Sequence, residues 1–481
     1  MFKNHIAGQW VDGAHAAENI NPSDTRDVIG LYARADASQV RQAIEAAHAA
    51  LPKAAAMPVQ QRADALEQIA QEIHARRLEL ADLLAREEGK TLGEALGEVL
   101  RAAQLFRFYA GEVVRQAGEL LPSLRPGIAI EVTREPVGVV GVITPWNFPI
   151  AIPAWKIAPA LAYGNTVVFK PADLTPACAW ALAEIISRAG FAEGVFNLVM
   201  GRGREVGDVL VSDARVAAIT FTGSDTVGRG VARACVERAG PMAKFQLEMG
   251  GKNPLVILED ADLEVAVECA INGAFYATGQ RCTASSRIVV CDAIHDRFID
   301  AMVARMQQLT VGDARDPATR IGPVVDERQL ARDLEFIAIA QAEGAQLAYG
   351  GQHRRSVNGQ PGHFLVPALF TGTSNDMRIN REEVFGPVAA VIRVSDAEHA
   401  LAVANDTEFG LSAGVVTTSL KAATHFKRHL QAGMVMVNAP TAGVDPHVPF
   451  GGRKGSSYGP REQGRHAAEF YTTLKTSYLQ A

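Results

Sequence analysis

A cysteine among small polar residues is the first candidate for chemistry in this sequence. Cys282 lies in Ala277-Thr-Gly-Gln-Arg-Cys-Thr-Ala-Ser-Ser286, whose small side chains favour a loop or a helix start with exposed backbone N–H groups. A helix N-terminus and a neighbouring cation, here Arg281, both lower the pKa of a thiol and favour the nucleophilic thiolate. The segment therefore predicts a nucleophile, although an isolated cysteine is more often a small buried hydrophobic residue.

A glutamate in an apolar segment is the candidate general base. Glu248 alternates with apolar neighbours in Phe245-Gln-Leu-Glu-Met-Gly-Gly-Lys-Asn-Pro254. Burying a carboxylate is costly unless it is paired or has a task, and burial raises its pKa toward the range of a general base. This segment alone fits a general base and a salt-bridged strand glutamate equally well.

Short apolar strands that alternate with helices predict the scaffold that must position these two residues. A helical pattern over 36–117 precedes a first series, with strands at 137–144, 166–170, 195–200 and 216–221 and helices at 151–163, 176–189 and 203–210. A second series has strands at 255–258, 287–290, 389–394 and 434–437. Such alternation is typical of parallel, doubly wound sheets. We predict an α/β fold of two doubly wound domains that meet near residues 245–250, where a cleft favours a ligand site.

Composition narrows the class of protein. The 481 residues exceed one ordinary core, and 48% hydrophobic with 21% charged residues is globular composition. A net charge of −6 gives no general attraction to nucleic acid or anionic lipid, and no run approaches the ~18 apolar residues of a membrane span. The start lacks a signal-peptide pattern, so the cytoplasm is the expected location.

Cysteine and histidine spacing adds two expectations. Five cysteines without paired spacing indicate reduced thiols, and twelve scattered histidines predict no metal site. We expect four of the cysteines to be ordinary buried residues: Cys178, Cys235, Cys269 and Cys291.

Seven motifs in this order resemble those of the aldehyde dehydrogenase superfamily over nearly the whole chain. They begin with Thr144-Pro-Trp-Asn-Phe-Pro149, Phe169-Lys-Pro-Ala172, Phe221-Thr-Gly-Ser224 with Gly228, and Leu247-Glu-Met-Gly-Gly-Lys252. They continue with Gly279-Gln-Arg-Cys282, Glu382-Glu-Val-Phe-Gly-Pro387 and Pro449-Phe-Gly-Gly452. An ordered set is far more specific than a single glycine-rich match.

The resemblance implies a catalytic role for three residues. Cys282 attacks the aldehyde carbon and forms a thiohemiacetal, while Asn147 and the Cys282 N–H stabilise the oxyanion. Hydride transfer to the nicotinamide then gives a thioester, and Glu248 activates the water that hydrolyses it. Covalent catalysis suits this chemistry because a free aldehyde is a poor hydride donor until its carbon becomes tetrahedral.

The resemblance also implies an NAD or NADP site. Lys170 and Asp173 are expected on the adenosine ribose, and Asp173 stands where NAD-preferring members commonly carry Glu, which leaves room for a 2′-phosphate. Ser224 should contact the pyrophosphate near a helix N-terminus, Glu383 and Phe385 should hold the nicotinamide ribose and ring, and the role of Asp225 is open. The full expected set is Thr144, Pro145, Trp146, Lys170, Ala172, Asp173, Gly223, Ser224, Gly250, Glu383 and Phe385.

The resemblance gives expected domain boundaries and an assembly. The cofactor-binding domain is expected at 1–119 and 137–246, the catalytic domain at 247–437, and a returning segment that closes the active site at 438–464. Leu120 to Glu135 and the tail after Phe470 have alternating strand character, so we interpret residues 120–136 and 465–481 as an arm that pairs with another subunit in a homodimer or homotetramer. Ordinary surface hairpins are an equally good interpretation of these segments.

The substrate class comes from a closer resemblance to the 2-oxoglutarate semialdehyde (2,5-dioxopentanoate) dehydrogenases, whose patterns the succinate semialdehyde dehydrogenases largely share. Such a substrate has a terminal carboxylate, which needs a cation near Cys282, preferably an arginine. We expect Arg281 and Arg101 to clamp that carboxylate, with Arg281 favoured, and Phe450 to shape the mouth of the site. The alternatives are that Arg281 serves only the thiolate and that Arg101 faces solvent.

Three other functions fit parts of the pattern. A CoA-acylating dehydrogenase also carries Arg before its cysteine, but such members often lack the base at Glu248, which therefore favours water as acceptor. A catalytically silent binding or structural protein would have lost Cys282, Glu248 or Asn147. A cysteine hydrolase would leave the cofactor-like region without a purpose.

Asn147→Ala should reduce turnover by two to three orders of magnitude, since one oxyanion donor typically contributes roughly 2.7–4 kcal/mol to the transition state. Steady-state absorbance of the reduced nicotinamide checks this. A variant that keeps about the parent rate would remove Asn147 from the oxyanion site.

Overall fold

The computed structural model describes residues 1–480, in which strands and helices alternate from end to end. The strands are β1 (Asn4–Ile6), β2 (Gln9–Val11), β3 (His15–Ile20), β4 (Val28–Arg34), β5 (Glu119–Pro122), β6 (Ile128–Pro136), β7 (Val139–Ile143), β8 (Thr166–Lys170), β9 (Phe196–Leu198), β10 (Val216–Thr222), β11 (Lys244–Glu248), β12 (Pro254–Ile257), β13 (Arg287–Cys291), β14 (Gln346–Tyr349), β15 (His353–Val357), β16 (Gln360–Leu365), β17 (Ala368–Thr373), β18 (Val388–Val394), β19 (Ser412–Val416), β20 (Met434–Val437), β21 (Ser457–Tyr458) and β22 (Thr472–Gln480).

The α-helices fill the gaps between the strands, and none within residues 1–480 is long and apolar enough to cross a membrane. They are α1 (Ala37–Ala56), α2 (Val59–Ala75), α3 (Arg77–Glu88), α4 (Leu92–Val113), α5 (Ala151–Ala162), α6 (Pro176–Ser187), α7 (Asp208–Ser212), α8 (Asp225–Glu237), α9 (Leu263–Phe275), α10 (Asp292–Met306), α11 (Glu327–Ala342), α12 (Arg378–Arg381), α13 (Ala397–Asn405), α14 (Leu420–His429) and α15 (Ala468–Tyr471).

The first sheet has the order β2-β1-β9-β8-β7-β10-β11-β21. Its five central strands are parallel, and the strands at both edges are antiparallel. Successive residues of a strand point to opposite faces. Val139 accordingly packs with α1, α7 and α8, while Val140 packs with helices of the opposite layer. Both faces are covered, as predicted for a doubly wound sheet.

The second sheet has the order β14-β17-β18-β13-β12-β19-β20, in which only β14 is antiparallel among the described strands. Leu255 packs with α9 and α10 on one face, and Val256 packs with α13 on the other. The two series of predicted strands are therefore confirmed, with ends that differ by one or two residues.

The predicted helix at 203–210 is wrong in form. Residues Gly203–Gly207 make a π-helical turn, and α7 begins only at Asp208. Glycine has a low helix propensity, and one stands at each end of that turn, so regular α-helical hydrogen bonding starts late.

Strands β5, β6 and β22 form a separate three-stranded antiparallel sheet within one chain. The strand character of both segments is confirmed, and β22 lies beside β6 along its whole length. The two outer strands carry exposed apolar side chains on an otherwise open sheet: Leu120, Leu121, Leu474, Tyr478 and Leu479. Exposed strand edges of this kind pair readily with another chain, as the predicted oligomerisation arm requires. The arm itself stays a prediction.

The chain passes between the two large sheets twice. β11 ends at Glu248 in the first sheet, and β12 begins at Pro254 in the second. After β20 the chain returns, and β21 pairs with β11 through Leu247 to Tyr458 and Glu248 to Ser457. Both crossings border the cleft between the domains.

Candidate active site

The carboxyl ends of four parallel strands meet at one edge of the first sheet. The register aligns Ile143 with Lys170, and Thr222 with Glu248. Two backbone hydrogen bonds join the ends: Thr144 N–H to the Lys170 carbonyl at 3.3 Å, and Gly223 N–H to the Glu248 carbonyl at 3.0 Å. Ligands of open α/β sheets bind at this edge.

Glu248 is the last residue of β11 and is 2% exposed. Its Oε2 accepts a hydrogen bond from the Ser457 hydroxyl, while its Oε1 is buried without a partner among the described residues. Burial raises the pKa of Glu248 well above its ordinary value; Glu462 raises it further, and Ser457 and Lys156 oppose the rise. The predicted direction of the pKa shift is confirmed, and one oxygen is left to bind a proton or a water molecule.

A buried ion pair lies beside Glu248, and the sequence prediction missed it. Lys156 of α5 donates to the Glu462 carboxylate and, at 2.9 Å, to the Thr220 hydroxyl. Both charged side chains are buried, and Oε2 of Glu462 has no partner in the described structure. A signal was present, because Lys156 interrupts the helical run Ala-Ile-Pro-Ala-Trp-Lys-Ile-Ala-Pro-Ala-Leu-Ala, in which every residue is buried. A lysine is rarely buried without a charged partner.

Cys282 is half-buried in a turn that follows the 3₁₀ segment Tyr276–Gly279. The loop alternative is therefore correct, and the helix-start alternative is wrong. The Asn253 amide donates to the Cys282 carbonyl at 2.8 Å and to the Ala284 carbonyl at 3.0 Å, which fixes the backbone of the turn.

The prediction of a lowered thiol pKa is wrong for this structure. Burial raises the pKa of Cys282 well above its ordinary value, and the carboxylates of Glu248 and Glu383 add to the rise. Arg281 does not offset them, because its guanidinium donates to the Asn272 carbonyl and pairs with Glu94 at 3.3 Å. The thiol needs a base to lose its proton.

Asn147 lies in the loop after β7 and is buried. Its Nδ2 donates to the Gln280 carbonyl at 2.9 Å, two residues before Cys282. The backbone carbonyl of Asn147 accepts a hydrogen bond from Nζ of Lys90 at 2.7 Å. The amide is thus fixed against the loop that carries the thiol, and its second N–H remains for another acceptor.

The residues expected to hold a nicotinamide converge between the two domains. Glu383 accepts from the Gly251 N–H at 2.9 Å, and a β-carbon at Gly250 would collide with the same carboxylate. Phe385, at φ 66°, packs edge-on against Trp146 with ring centroids 5.3 Å apart. Burial raises the pKa of Glu383 to about 7.

The residues expected at the adenosine end follow β8 and β10. Lys170 is buried, and burial lowers its pKa while Asp173 raises it. Ser224 caps α8 by accepting from the Val227 N–H at 3.4 Å, and Asp225 pairs with Arg229 at 2.8 Å, so its carboxylate has a role in the helix that does not involve a phosphate. Pro145 is half-buried and Ala172 is buried beside them.

This edge fits a dinucleotide by its donors. The Thr144 hydroxyl is buried without a partner in the described structure. The first turn of α8 supplies backbone N–H groups and the positive end of a helix dipole, which favour phosphate. Residues 1–480 contain no group of three His, Cys, Asp or Glu side chains placed to bind a metal ion.

The residues expected to contact substrate lie on three elements. Arg101 of α4 is partly buried, donates to Gln463 at 2.8 Å, and makes no ion pair with any described residue. Burial lowers the pKa of Arg101 to about 10, while Asp445 and Glu98 act in the opposite direction. Phe450 is buried against Trp155, with ring centroids 5.1 Å apart. Arg281 is engaged elsewhere, as described above.

Two doubly wound domains thus bring a thiol, a carboxyl and an amide to an edge of the kind that binds dinucleotides in open α/β sheets. The model of the aldehyde dehydrogenase family matches residues 10–477. The chain belongs to the aldehyde dehydrogenase family.

Individual relatives span essentially the whole chain. The alpha-ketoglutaric semialdehyde dehydrogenase of Bacillus subtilis is 42% identical and covers 100% of this chain and 98% of its own. The 2,5-dioxopentanoate dehydrogenase of Saccharolobus solfataricus is 40% identical and covers 98% of each. The crystal structure of betaine aldehyde dehydrogenase from Staphylococcus aureus in complex with NAD+ is 33% identical, with a TM-score of 0.96 over 100% of this chain and 95% of that one.

Removing either charge of the buried pair should move the acidic limb of the pH profile, in opposite directions. The Glu462 charge raises the pKa of Glu248 and the Lys156 charge lowers it. Activity that needs the Glu248 carboxylate appears as pH rises through that pKa, so Glu462→Gln should shift the limb to lower pH and Lys156→Met to higher pH, each by about one unit. Turnover against pH at saturating substrate measures both shifts, and shifts of the same sign would contradict this account of Glu248.

Proposed function

We propose that this aldehyde dehydrogenase oxidises 2-oxoglutarate semialdehyde to 2-oxoglutarate, with NAD+ or NADP+ as hydride acceptor. The observation that carries the substrate class is Arg101, a partly buried guanidinium that has no carboxylate oxygen within 4.0 Å in the described structure. Two relatives named alpha-ketoglutaric semialdehyde dehydrogenase and 2,5-dioxopentanoate dehydrogenase support the same acidic aldehyde.

The proposed reaction begins with the thiol. Glu248 is a stronger base than an exposed glutamate because burial raises its pKa. Its carboxylate accepts the proton of Cys282, whose sulfur then attacks the aldehyde carbon. The Asn147 Nδ2–H and the Cys282 N–H donate to the oxygen that becomes an oxyanion.

Collapse of the thiohemiacetal restores the carbonyl and expels hydride from the carbon, which leaves a thioester on Cys282. Bound NAD+ or NADP+ supplies the acceptor for that hydride. Glu248 releases the proton taken from Cys282 to solvent, and its carboxylate then removes a proton from water as the water oxygen attacks the thioester carbon. The carboxylic acid leaves, and the sulfur departs as thiolate and regains a proton.

The cofactor site is proposed on the residues at the edge of the first sheet. Thr144, Lys170 and Ser224 follow three adjacent strands, and Glu383 reaches the same cleft from the second domain. Asp173 is exposed beside Lys170. Its short side chain can accept hydrogen bonds from ribose hydroxyls and leaves space for a 2′-phosphate, so we expect NAD+ use with tolerance of NADP+.

The carboxylate is proposed to bind Arg101 rather than the pair of arginines expected from sequence. Arg101 uses one donor on Gln463, and a guanidinium has five. Arg281 already shares its charge with Glu94. A charge that costs desolvation and lacks a partner gains most from an anionic ligand.

A succinate semialdehyde dehydrogenase is the second candidate, because its substrate carries the same carboxylate on a shorter chain. Absorbance of the reduced nicotinamide with 2-oxoglutarate semialdehyde, succinate semialdehyde and pentanal, each with NAD+ and NADP+, separates these functions. Highest kcat/KM for 2-oxoglutarate semialdehyde supports the proposal, and highest kcat/KM for pentanal contradicts it.

Arg101→Leu should raise KM for 2-oxoglutarate semialdehyde by ten- to a hundred-fold and leave KM for pentanal nearly unchanged, since a hydrogen bond to a charged group contributes about 1.5–3 kcal/mol. Arg281→Leu is the matched control, because the Arg281 charge is already paired; it should change both KM values by the same factor. The carboxylate would instead lie on Arg281 if that variant alone discriminated between the two aldehydes.

A further inference from the structure

A second buried ion pair lies behind Asn147. α3 ends at Glu88, Gly89 turns the chain with a φ of 95°, and Lys90 follows before α4 begins. Nζ of Lys90 lies 2.6 Å from Oε2 of Glu98, and the two residues are 1% and 4% exposed. The pair lies within the domain of the first sheet, away from solvent.

Both members of this pair also bond to the loop that carries Asn147, and Lys90 lies 3.9 Å from Glu88 as well. Lys90 donates to the Asn147 carbonyl at 2.7 Å, and its ammonium lies 3.8 Å from the centre of the Phe148 ring. The other oxygen of Glu98 accepts from the N–H groups of Ile150 at 2.9 Å and Ala151 at 3.1 Å. The pair thus holds both ends of the segment 147–151. The second end is the start of α5, where the helix dipole stabilises the Glu98 carboxylate.

The acceptor of the Asn147 amide is held by the same group of residues. Asn147 Nδ2 donates to the Gln280 carbonyl. The Gln280 side chain accepts from the Val325 N–H at 3.0 Å and points its amide at Glu88 at 3.5 Å. Burial raises the pKa of Glu88 to about 8, and Lys90, whose Nζ lies 3.9 Å from Oε2 of Glu88, opposes the rise.

A loop of this length could be held by neutral groups at lower cost, because a buried ion pair rarely adds net stability. What the ion pair supplies is direction: three charged hydrogen bonds fix the backbone from the Asn147 carbonyl to the Ala151 N–H. An amide that misses the oxyanion by a fraction of an ångström loses most of its effect on the rate.

We infer that Lys90 and Glu98 are positioning residues for Asn147, which fix the position and direction of its side-chain amide relative to Cys282. This inference rests on the proposed role of Asn147 as oxyanion donor. Lys90 and Glu98 are buried and make no hydrogen bond to Cys282, so we expect them to act on the reaction through the loop.

A double-mutant cycle tests this inference, because residues that act through one another are not additive. Lys90→Met should slow the pre-steady-state burst of reduced nicotinamide at least about tenfold in the parent enzyme and less than about twofold in Asn147→Ala. The dissociation constant of the cofactor, measured by fluorescence titration, should stay unchanged in both backgrounds.

A second variant protects the test against misfolding. Lys90→Met combined with Glu98→Gln removes both charges, leaves no unpaired buried ion, and should show the same non-additivity with Asn147→Ala. Glu87→Gln is the matched control: Glu87 is buried one residue before Glu88 but bonds to the N–H groups of Ala177 and Cys178 in α6, so it should leave the burst rate unchanged.

The outcomes separate this inference from the proposed function. Equal loss of burst rate in the parent and Asn147→Ala backgrounds overturns the inference alone, since Lys90 would then act without Asn147. An Asn147→Ala enzyme with the parent burst rate overturns both. Loss confined to the parent background, with Glu87→Gln unaffected, supports the inference.

Discussion

The removal of water from a thiol and a carboxyl group in one cleft is the constraint on which the rest of this structure depends. Burial raises the pKa of Cys282 and of Glu248, and the negative charge of Glu248 raises that of the thiol further. Such a cleft keeps both groups protonated at low pH and makes the carboxylate a strong base once it ionises. The surrounding charges therefore decide the pH at which chemistry begins.

Those charges come from helices and loops that are remote from both groups in sequence. Lys156 of α5 and Glu462 of the returning segment act on Glu248 with opposite signs, while Lys90 and Glu98 hold the loop before α5. Buried pairs of this kind cost free energy of desolvation that a hydrophobic core would not. The two buried pairs thus lower the stability of the domain of the first sheet but hold charges at fixed positions. Both pairs involve α5.

Local patterns predicted the scaffold well, because a strand buried on both faces appears in the sequence as a short run of adjacent apolar residues. β20 matches its predicted bounds, and the loop nature of Cys282 was one of two alternatives. The predicted lowering of the Cys282 pKa was wrong because the direction of the Arg281 side chain depends on Glu94, 187 residues away. The partner of Lys156 lies 306 residues away, so no neighbouring pattern could identify it. Tertiary contacts between distant segments, unlike strand periodicity, leave no local trace.

The two crossings between the sheets restrict how the domains can move as bodies. A single tether would allow rotation about several axes, whereas tethers at residues 249–253 and 438–456 leave only bending about the line that joins them. The second tether is anchored where β21 pairs with β11, so that hinge line passes beside Glu248. Wide separation of the two domains would therefore strain the strand pairing that ends at Glu248 and Ser457.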